Sequence, residues 1–380
     1  MRALFSCIPS EGHFRPLLPL ARALAVAGHD VAFATAADWH PRVADEGFDA
    51  LQAGGSRAEL GEELARVRQA TLALPPAERR PLAFSGNFAQ VHAPAKLTEL
   101  LGVSRAWNAD AIVYDSGDLA APIAAAALGL PSVHHAFGAM IPLAALDRAA
   151  EEAAPLWRGQ GLAPEPHAGV FRGLYVDICP PSLSFEGPLG RRVRMRPAEA
   201  EPAAAQAWLD ELPPPLVYLT LGTIFNEPKL FRPLLDALDG DVSALVTSGR
   251  DVDPAALGPV RERVRIESFV PQAHVLPHCA AVVTHGGSGT TLGALAHGLP
   301  LVLVPQGADQ FDNAARCVAA GVAVVLEPDE LTADAVRAAL RRVLDEQSFG
   351  AAARALQAEI AAMPAPQEAA RAVEEYVSRG

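Results

Sequence analysis

The stretch 281–313, AVVTHGGSGTTLGALAHGLPLVLVPQGADQFDN, limits what this chain can fold into more than any other. The apolar run 281–283 reads as a buried strand of a parallel sheet. It ends at Thr284 and His285, and Gly286-Gly287-Ser288-Gly289-Thr290-Thr291 follows. Leu292, Leu295 and Ala296 then recur at helical spacing until Gly298 and Pro300 stop the helix, and 301–304 is a second apolar run. Strand, glycine loop, helix and strand make a βαβ unit with its loop at the carboxyl edge of the sheet.

That geometry has chemical consequences. Glycines allow close approach of a ligand to the backbone, and the new helix offers unpaired N–H groups and the positive end of its dipole. Ser288, Thr290 and Thr291 add hydroxyls. Such a loop suits a phosphate or diphosphate, although ordinary strand–helix connections also use glycine. His285 at the head of the loop, and Asp309, Gln310 and Asn313 beyond the next strand, make the set more specific. A carboxylate and a carboxamide on one sheet edge can hydrogen-bond the hydroxyls of a sugar. No Walker lysine follows the glycines, which removes an NTPase.

The amino-terminal part repeats the plan. A strand over 3–8 leads through Pro9-Ser10-Glu11-Gly12-His13-Phe14-Arg15-Pro16 into an amphipathic helix carrying Leu17, Leu20, Leu24 and Val26, which Gly28 stops. Strands follow at 31–35, at 111–114 (ending in Asp115) and at 132–134, with helices over 95–107 and 122–128. This alternation predicts a doubly wound parallel sheet. His13 falls at a strand's carboxyl end, where it is either a loop histidine near a helix cap or a general base kept neutral by the helix N-terminus. Asp115 is either an N-cap or the partner that orients such a base, and Asp118 can exchange roles with it. The stretch 175–183 reads as the last element of this domain, 196–201 as a linker, and 52–90 as the least regular segment. A second set of strands is expected at 216–221, 243–247, 264–266 and 323–326 around the opening βαβ unit. Helices are expected over 334–345, 351–362 and 367–377.

His285-Gly-Gly-Ser-Gly-Thr290, Gly298-x-Pro300, the Pro305-x-x-x-Asp-Gln-x-x-Asn-Ala314 ending and Gly12-His-x-x-Pro16 resemble the signature of family 1 nucleotide-sugar glycosyltransferases. The closer resemblance is to actinobacterial antibiotic and macrolide enzymes, and it covers essentially the whole chain. It implies an α/β fold of GT-B architecture, two Rossmann-like doubly wound domains facing across a cleft. The acceptor domain would be 1–200, the donor domain 201–362, and 363–380 a helix returning to the first domain. It implies an inverting, metal-independent transfer of a sugar or deoxysugar from a dTDP or UDP donor to a small hydrophobic acceptor such as a polyketide, with no cofactor.

By position, His13 would be the base and Asp115 its partner. Thr223, His285, Gly287, Ser288, Gly289 and Thr290 would hold the diphosphate. Phe269, Val270 and Gln272 would hold the nucleobase, and Asp309 and Gln310 the donor sugar. Phe84, within the variable segment, and His134 and His135 would meet the acceptor. The family often has tryptophan near the nucleobase; its absence here leaves base selectivity open. The alternatives are a nucleotide-sugar 2-epimerase, which would need acidic residues in place of the base histidine, and a non-catalytic nucleotide-sugar-binding subunit, against which the presence of both His13 and Asp115 argues.

Composition excludes other classes. A net charge of -13 over 380 residues argues against nucleic acid and against an anionic membrane surface. Cys7, Cys179, Cys279 and Cys317 are too far apart for a zinc site. The pairs Asp239/Asp241 and Asp251/Asp253 read as polar turns, and His274 and His278 lack an acidic third ligand. The apolar run 120–130 is too short to span a bilayer, and the amino terminus turns polar too soon for a signal peptide, so a cytoplasmic protein is expected. Monomer and homodimer both stay open.

Overall fold

The computed structural model describes residues 1–380 except 75, 185–186, 188–189, 198–206, 223–226, 239–241 and 380. The chain divides into two compact units, Met1–Cys179 with Ser184–Arg196 and Met363–Gly380, and Pro180–Leu183 with Pro197–Ala362.

The first unit is built on a seven-stranded sheet. Its strands are β1 (Arg2–Ser6), β2 (Asp30–Thr35), β3 (Asp49–Gln52), β4 (Ala111–Asp115), β5 (Ser132–His135), β6 (Leu174–Asp177) and β7 (Arg191–Arg194). They run parallel in the order β3-β2-β1-β4-β5-β6-β7. The central strands β1 and β4 are buried over 3–6 and 111–115 and carry the apolar runs 3–5 and 111–114, as strands covered on both faces do. The edge strands escaped the sequence reading. β3 is short and partly polar, and β7 is Arg-Arg-Val-Arg; charge on an edge suppresses pairing with other chains and erases the apolar signal. β6 ends at Asp177, so the single element expected over 175–183 is a strand followed by the short turn Pro181–Leu183.

The segment expected to be irregular is largely helical. Helices span Gly61–Leu72 and Pro76–Phe84, and the second continues through a π-helical stretch, Ser85–His92, into Ala93–Ala106. A Cβ on Gly86 would lie 2.6 Å from Val67, so glycine there lets the two helices pack closely. The last helix, Pro366–Ser378, belongs to the first unit, where the Glu374 carboxylate meets His29 Nε2 at 2.8 Å and Tyr376 lies under Arg191.

The second unit carries a six-stranded parallel sheet: β8 (Leu216–Thr220), β9 (Ser243–Thr247), β10 (Val264–Glu267), β11 (Ala281–Thr284), β12 (Leu301–Leu303) and β13 (Ala323–Val325). Its order is β10-β9-β8-β11-β12-β13. In each sheet the strand order reverses direction once, between β1 and β4 and between β8 and β11. There the loops from neighbouring strands leave toward opposite faces and a crevice opens outside the carboxyl ends. No helix of the described residues is long and apolar enough to cross a membrane.

Candidate active site

The first reversal point holds His13 and Asp115. β1 and β4 pair in register with Ser6 opposite Tyr114, so the loop after β1 and the end of β4 emerge side by side. His13 sits in the helical turn Glu11–Phe14, and its Nδ1 lies 2.6 Å from Asp115 Oδ1. Asp115 is fully buried and also accepts from the Ile8 amide (2.9 Å) and the Gly117 amide (2.6 Å). Burial opposes its charge. The attraction and hydrogen bond of His13, with the Ile8 and Gly117 amides, outweigh burial and hold the carboxyl below its ordinary range. An ionised Asp115 fixes the proton on Nδ1 and leaves Nε2 of His13 with a lone pair. The His13 side chain is 16% exposed, enough to meet a hydroxyl.

Asp118 does not share this role. It is buried, accepts from Ser6 Oγ at 2.6 Å, and pairs with Lys96 at 2.7 Å.

Aromatic rings flank His13. Phe137 meets the His13 ring edge-on at 4.9 Å, and Phe88 lies 5.4 Å away on a tilted plane. The three residues expected to meet the acceptor, Phe84, His134 and His135, are all buried. Phe84 is buried in the core behind Phe88, against whose ring it packs. His134 is buried between Tyr114 and Tyr175, with Nε2 on Ser116 Oγ (2.8 Å) and Nδ1 on the Val170 carbonyl (3.1 Å), so both nitrogens are engaged within the domain. His135 is also fully buried, its Nδ1 donating to the Ala136 carbonyl. Phe88, His92 and Phe137, which the sequence reading passed over, are the half-buried rings in this place. The π-helical stretch presents the first two together, stacked 6.1 Å apart. Wide helical turns of this kind cluster at functional sites.

Gly117 makes the nest possible. A Cβ there would lie 2.7 Å from His13 Cε1 and 2.9 Å from Phe88 Cε1, well inside contact distance. Gly117→Ala should therefore displace the imidazole and lower kcat about 100-fold, the usual cost of an ångström's misplacement. Equal Tm values for variant and wild type would show that the loss is local.

The second unit holds the glycine loop. The helix Ser288–Ala296 begins right after it, with Gly287 as its cap and no side chain on its first amides. Gly286 has φ +86°, a conformation glycine supplies without strain. The loop after β8 closes onto the same place. A Cβ on Gly222 would lie 2.6 Å from His285 Cε1, and one on Gly287 2.5 Å from its Nε2, so two glycines are cut to fit that ring. Thr223 lies outside the described residues. Beyond β12, Asp309 Oδ2 accepts from Ser288 Oγ (2.7 Å) and Asn313 Nδ2 (2.9 Å), and Asn313 also reaches the Gly286 carbonyl. Ser288 from the glycine loop and Asp309 from beyond β12 are thus joined directly, with Asn313 bridging them to the Gly286 carbonyl. Ala308, just before Asp309, holds φ +54°, a conformation seldom taken without glycine.

Some members of this set have structural duties. Gln310 is buried, and its Oε1 accepts from the Gln306 and Gly307 amides, so this side chain shapes the loop. Gln272 Nε2 donates to Thr290 Oγ1 at 2.8 Å, joining the nucleobase segment to the glycine helix. Val270 is buried, and the Phe269 ring lies under the Arg250 guanidinium at 3.7 Å. Asp253 caps the turn Pro254–Leu257, and Asp239 and Asp241 lie outside the described residues.

Burial pushes four histidines down to about 4: His92, His134, His135 and His285. Each is held neutral by the fold, against about 6.5 in an unfolded chain. The folded value is the lower one, so their contribution to stability is complete above pH 6.5 and is lost as pH falls toward 4. Urea midpoints should drop steadily across that window, with proton uptake on unfolding. A midpoint flat from pH 7 to 4.5 would contradict these burials.

With this geometry in view, comparison with known proteins is direct. Residues 22–222 match the model of the erythromycin biosynthesis protein CIII-like amino-terminal domain, and residues 234–376 that of its carboxyl-terminal domain. The chain is 32% identical over 374 residues to the L-demethylnoviosyl transferase of Streptomyces niveus, covering 96% of each protein. Among solved structures it resembles the glycosyltransferase VinC in complex with dTDP (TM-score 0.80, 29% identity, 100% of both chains). It also resembles the spinosyn rhamnosyltransferase SpnG complexed with spinosyn aglycone (TM-score 0.77, 26% identity, 98% of this chain and 100% of that one). Sheet topology, base loop, glycine loop and matched sequence agree: this chain is a glycosyltransferase of the erythromycin biosynthesis protein CIII-like family, with the two-domain Rossmann-like GT-B fold of antibiotic glycosyltransferases.

Proposed function

We propose that this enzyme is an inverting, metal-independent transferase, acting in the cytoplasm, that moves a sugar or deoxysugar from a dTDP donor to a hydroxyl of a small hydrophobic natural product. One observation carries the mechanism: His13 Nδ1 is held 2.6 Å from a buried Asp115. That arrangement presents Nε2 as the base. Nε2 takes the acceptor proton as the acceptor oxygen attacks the anomeric carbon from the side opposite the nucleotide. The bond from that carbon to the phosphate oxygen breaks, and its electron pair leaves with the diphosphate. Asp115 stabilises the imidazolium while it lasts.

The departing charge falls to fixed donors. The free first amides of the helix Ser288–Ala296 and its dipole favour an anion at Gly287–Ser288. The donor hydroxyls would meet Asp309, a reading supported by its carboxylate being tied to Ser288 of the glycine loop and to Asn313. The dTDP preference is supported by VinC, whose structure was solved with that nucleotide. Acceptor class is supported by SpnG and its aglycone complex, and the half-buried rings of Phe88 and Phe137 suit an apolar ligand.

The test is nucleotide release from dTDP-glucose and UDP-glucose, with and without a panel of phenolic and macrolide alcohols. Acceptor-dependent release, faster with dTDP, is expected. Donor turnover without any acceptor would instead indicate an epimerase.

A further inference from the structure

Lys96 is the buried ion that the mechanism above does not use. It lies on the helix Ala93–Ala106 with 3% of its surface exposed. An ammonium has three N–H donors, and Nζ finds the Cys7 carbonyl at 2.8 Å, the Ala34 carbonyl at 3.1 Å and Asp118 Oδ2 at 2.7 Å. Its stem packs on Gly54, where φ is +98° and a Cβ would come within 3.3 Å of Lys96 Cγ. The carboxyl ends of β1 and β2 are therefore fastened to this amine.

The Cys7 carbonyl belongs to the same peptide group as the Ile8 amide. That amide donates to Asp115 Oδ2, and Asp115 Oδ1 holds His13. One peptide thus lies between a cation and the carboxylate of the base dyad, Lys96 at its oxygen and Asp115 at its N–H. A cation at the carbonyl polarises the peptide and strengthens its N–H as a donor. It also fixes the peptide plane, and through it the angle at which Asp115 presents its second oxygen to His13.

We propose that Lys96, paired with Asp118, is a positioning residue for the His13–Asp115 dyad, acting through the Cys7–Ile8 peptide. The inference rests on the catalytic reading of His13, and its test includes a measurement that does not.

Removing Lys96 alone would leave Asp118 buried and unpaired, which destabilises strongly. The variant to make is Lys96→Met with Asp118→Asn, which removes both charges and keeps the length of the lysine stem without its amine. The expected result is a folded protein that binds dTDP as wild type does, with KM for both substrates unchanged and kcat reduced about 10- to 100-fold. In proton NMR the low-field Nδ1–H resonance of His13, identified by its loss in His13→Ala, should shift upfield or broaden in the double variant. That signal reports the His13–Asp115 hydrogen bond whether or not a productive substrate pair has been found. A wild type inactive on every pair, with the resonance still moved, would sink the transferase mechanism and leave the positioning role standing.

Should the double variant not fold, Asp118→Asn is the second. The amine keeps its two carbonyls, so the packing survives while the ion pair that fixes it beside the Cys7 carbonyl is lost. The resonance should move in this variant too. An unmoved resonance in a folded variant, or a loss confined to KM, would overturn the proposal and make Lys96–Asp118 a core ion pair only.

Discussion

Replacing His13 with alanine is expected to lower acceptor-dependent nucleotide release by about 10²–10⁴-fold, the range set by loss of a positioned general base. Donor binding should be retained, because the glycine loop, Asp309 and the segment around Val270 all belong to the other unit. Some stability should be lost as well, since the buried Asp115 loses its partner and keeps only its hydrogen bonds to the Ile8 and Gly117 amides. Calorimetric titration with dTDP beside a release assay separates the two effects. Retained acceptor-dependent turnover in the variant would refute the assignment of the base. Loss of dTDP binding together with turnover would point to a folding defect, and a melting curve would reveal it.

The Asp115→Asn variant should lose more, on the order of 10⁴-fold in kcat, as carboxylate loss does in catalytic triads. The carboxamide is close in shape and can still accept from the Ile8 amide, while an NH₂ in the place of Oδ1 gives up the bond from the Gly117 amide. Its NH₂ faces His13 Nδ1, however, and makes that nitrogen an acceptor. The imidazole proton then moves to Nε2, and the base has nothing with which to take a proton. A signature in stability accompanies this. The Asp115 carboxyl is held below its ordinary range, so its contribution is present above about pH 4, the unfolded value, and is lost as pH falls further. The Asn variant should lack that part of the acid dependence while keeping the fall between pH 6.5 and 4 due to the buried histidines. Guanidinium titrations at pH 7, 5 and 3.5 would resolve it, and identical curves for both proteins would contradict the depressed carboxyl.

Several elements of this site could be read without coordinates because each depends on local chemistry. The central strands, such as β1 and β11, carry buried apolar runs, Ala3-Leu4-Phe5 and Ala281-Val282-Val283. The loops that leave them are marked by glycine, and the spacing of Leu292, Leu295 and Ala296 allows one helix direction only. His13 and Asp115 fall at strand ends, and strand ends of doubly wound sheets are where ligands bind. Other elements hid for physical reasons. The strands β3 and β7 are edges, whose polar residues keep other chains away and so carry no strand pattern. Phe88 was obscured by Pro81 and Gly86, which read as breaks although the helix passes through both as it widens over Ser85–His92. Lys96 falls on the same helical face as Leu100 and Ser104, a clue in the spacing, but lysines on helices ordinarily reach solvent.

The sequence by itself determined the two α/β halves, the order of most strands along the chain, the glycine loop and the residues able to act as base and carboxylate, since these follow from periodicity and backbone freedom within about thirty residues. Only the tertiary structure decided which of them meet. It set Asp115 on His13 and gave Asp118 to Lys96, although the two aspartates are three positions apart in a chain that allowed either. It buried His134 and His135 and brought Phe88 and Phe137 to the base. The reason is that strand order and register are long-range choices. β1 pairs with β4 across more than a hundred residues of chain, and the direction in which a strand-end side chain points depends on the neighbour that fills the space beside it.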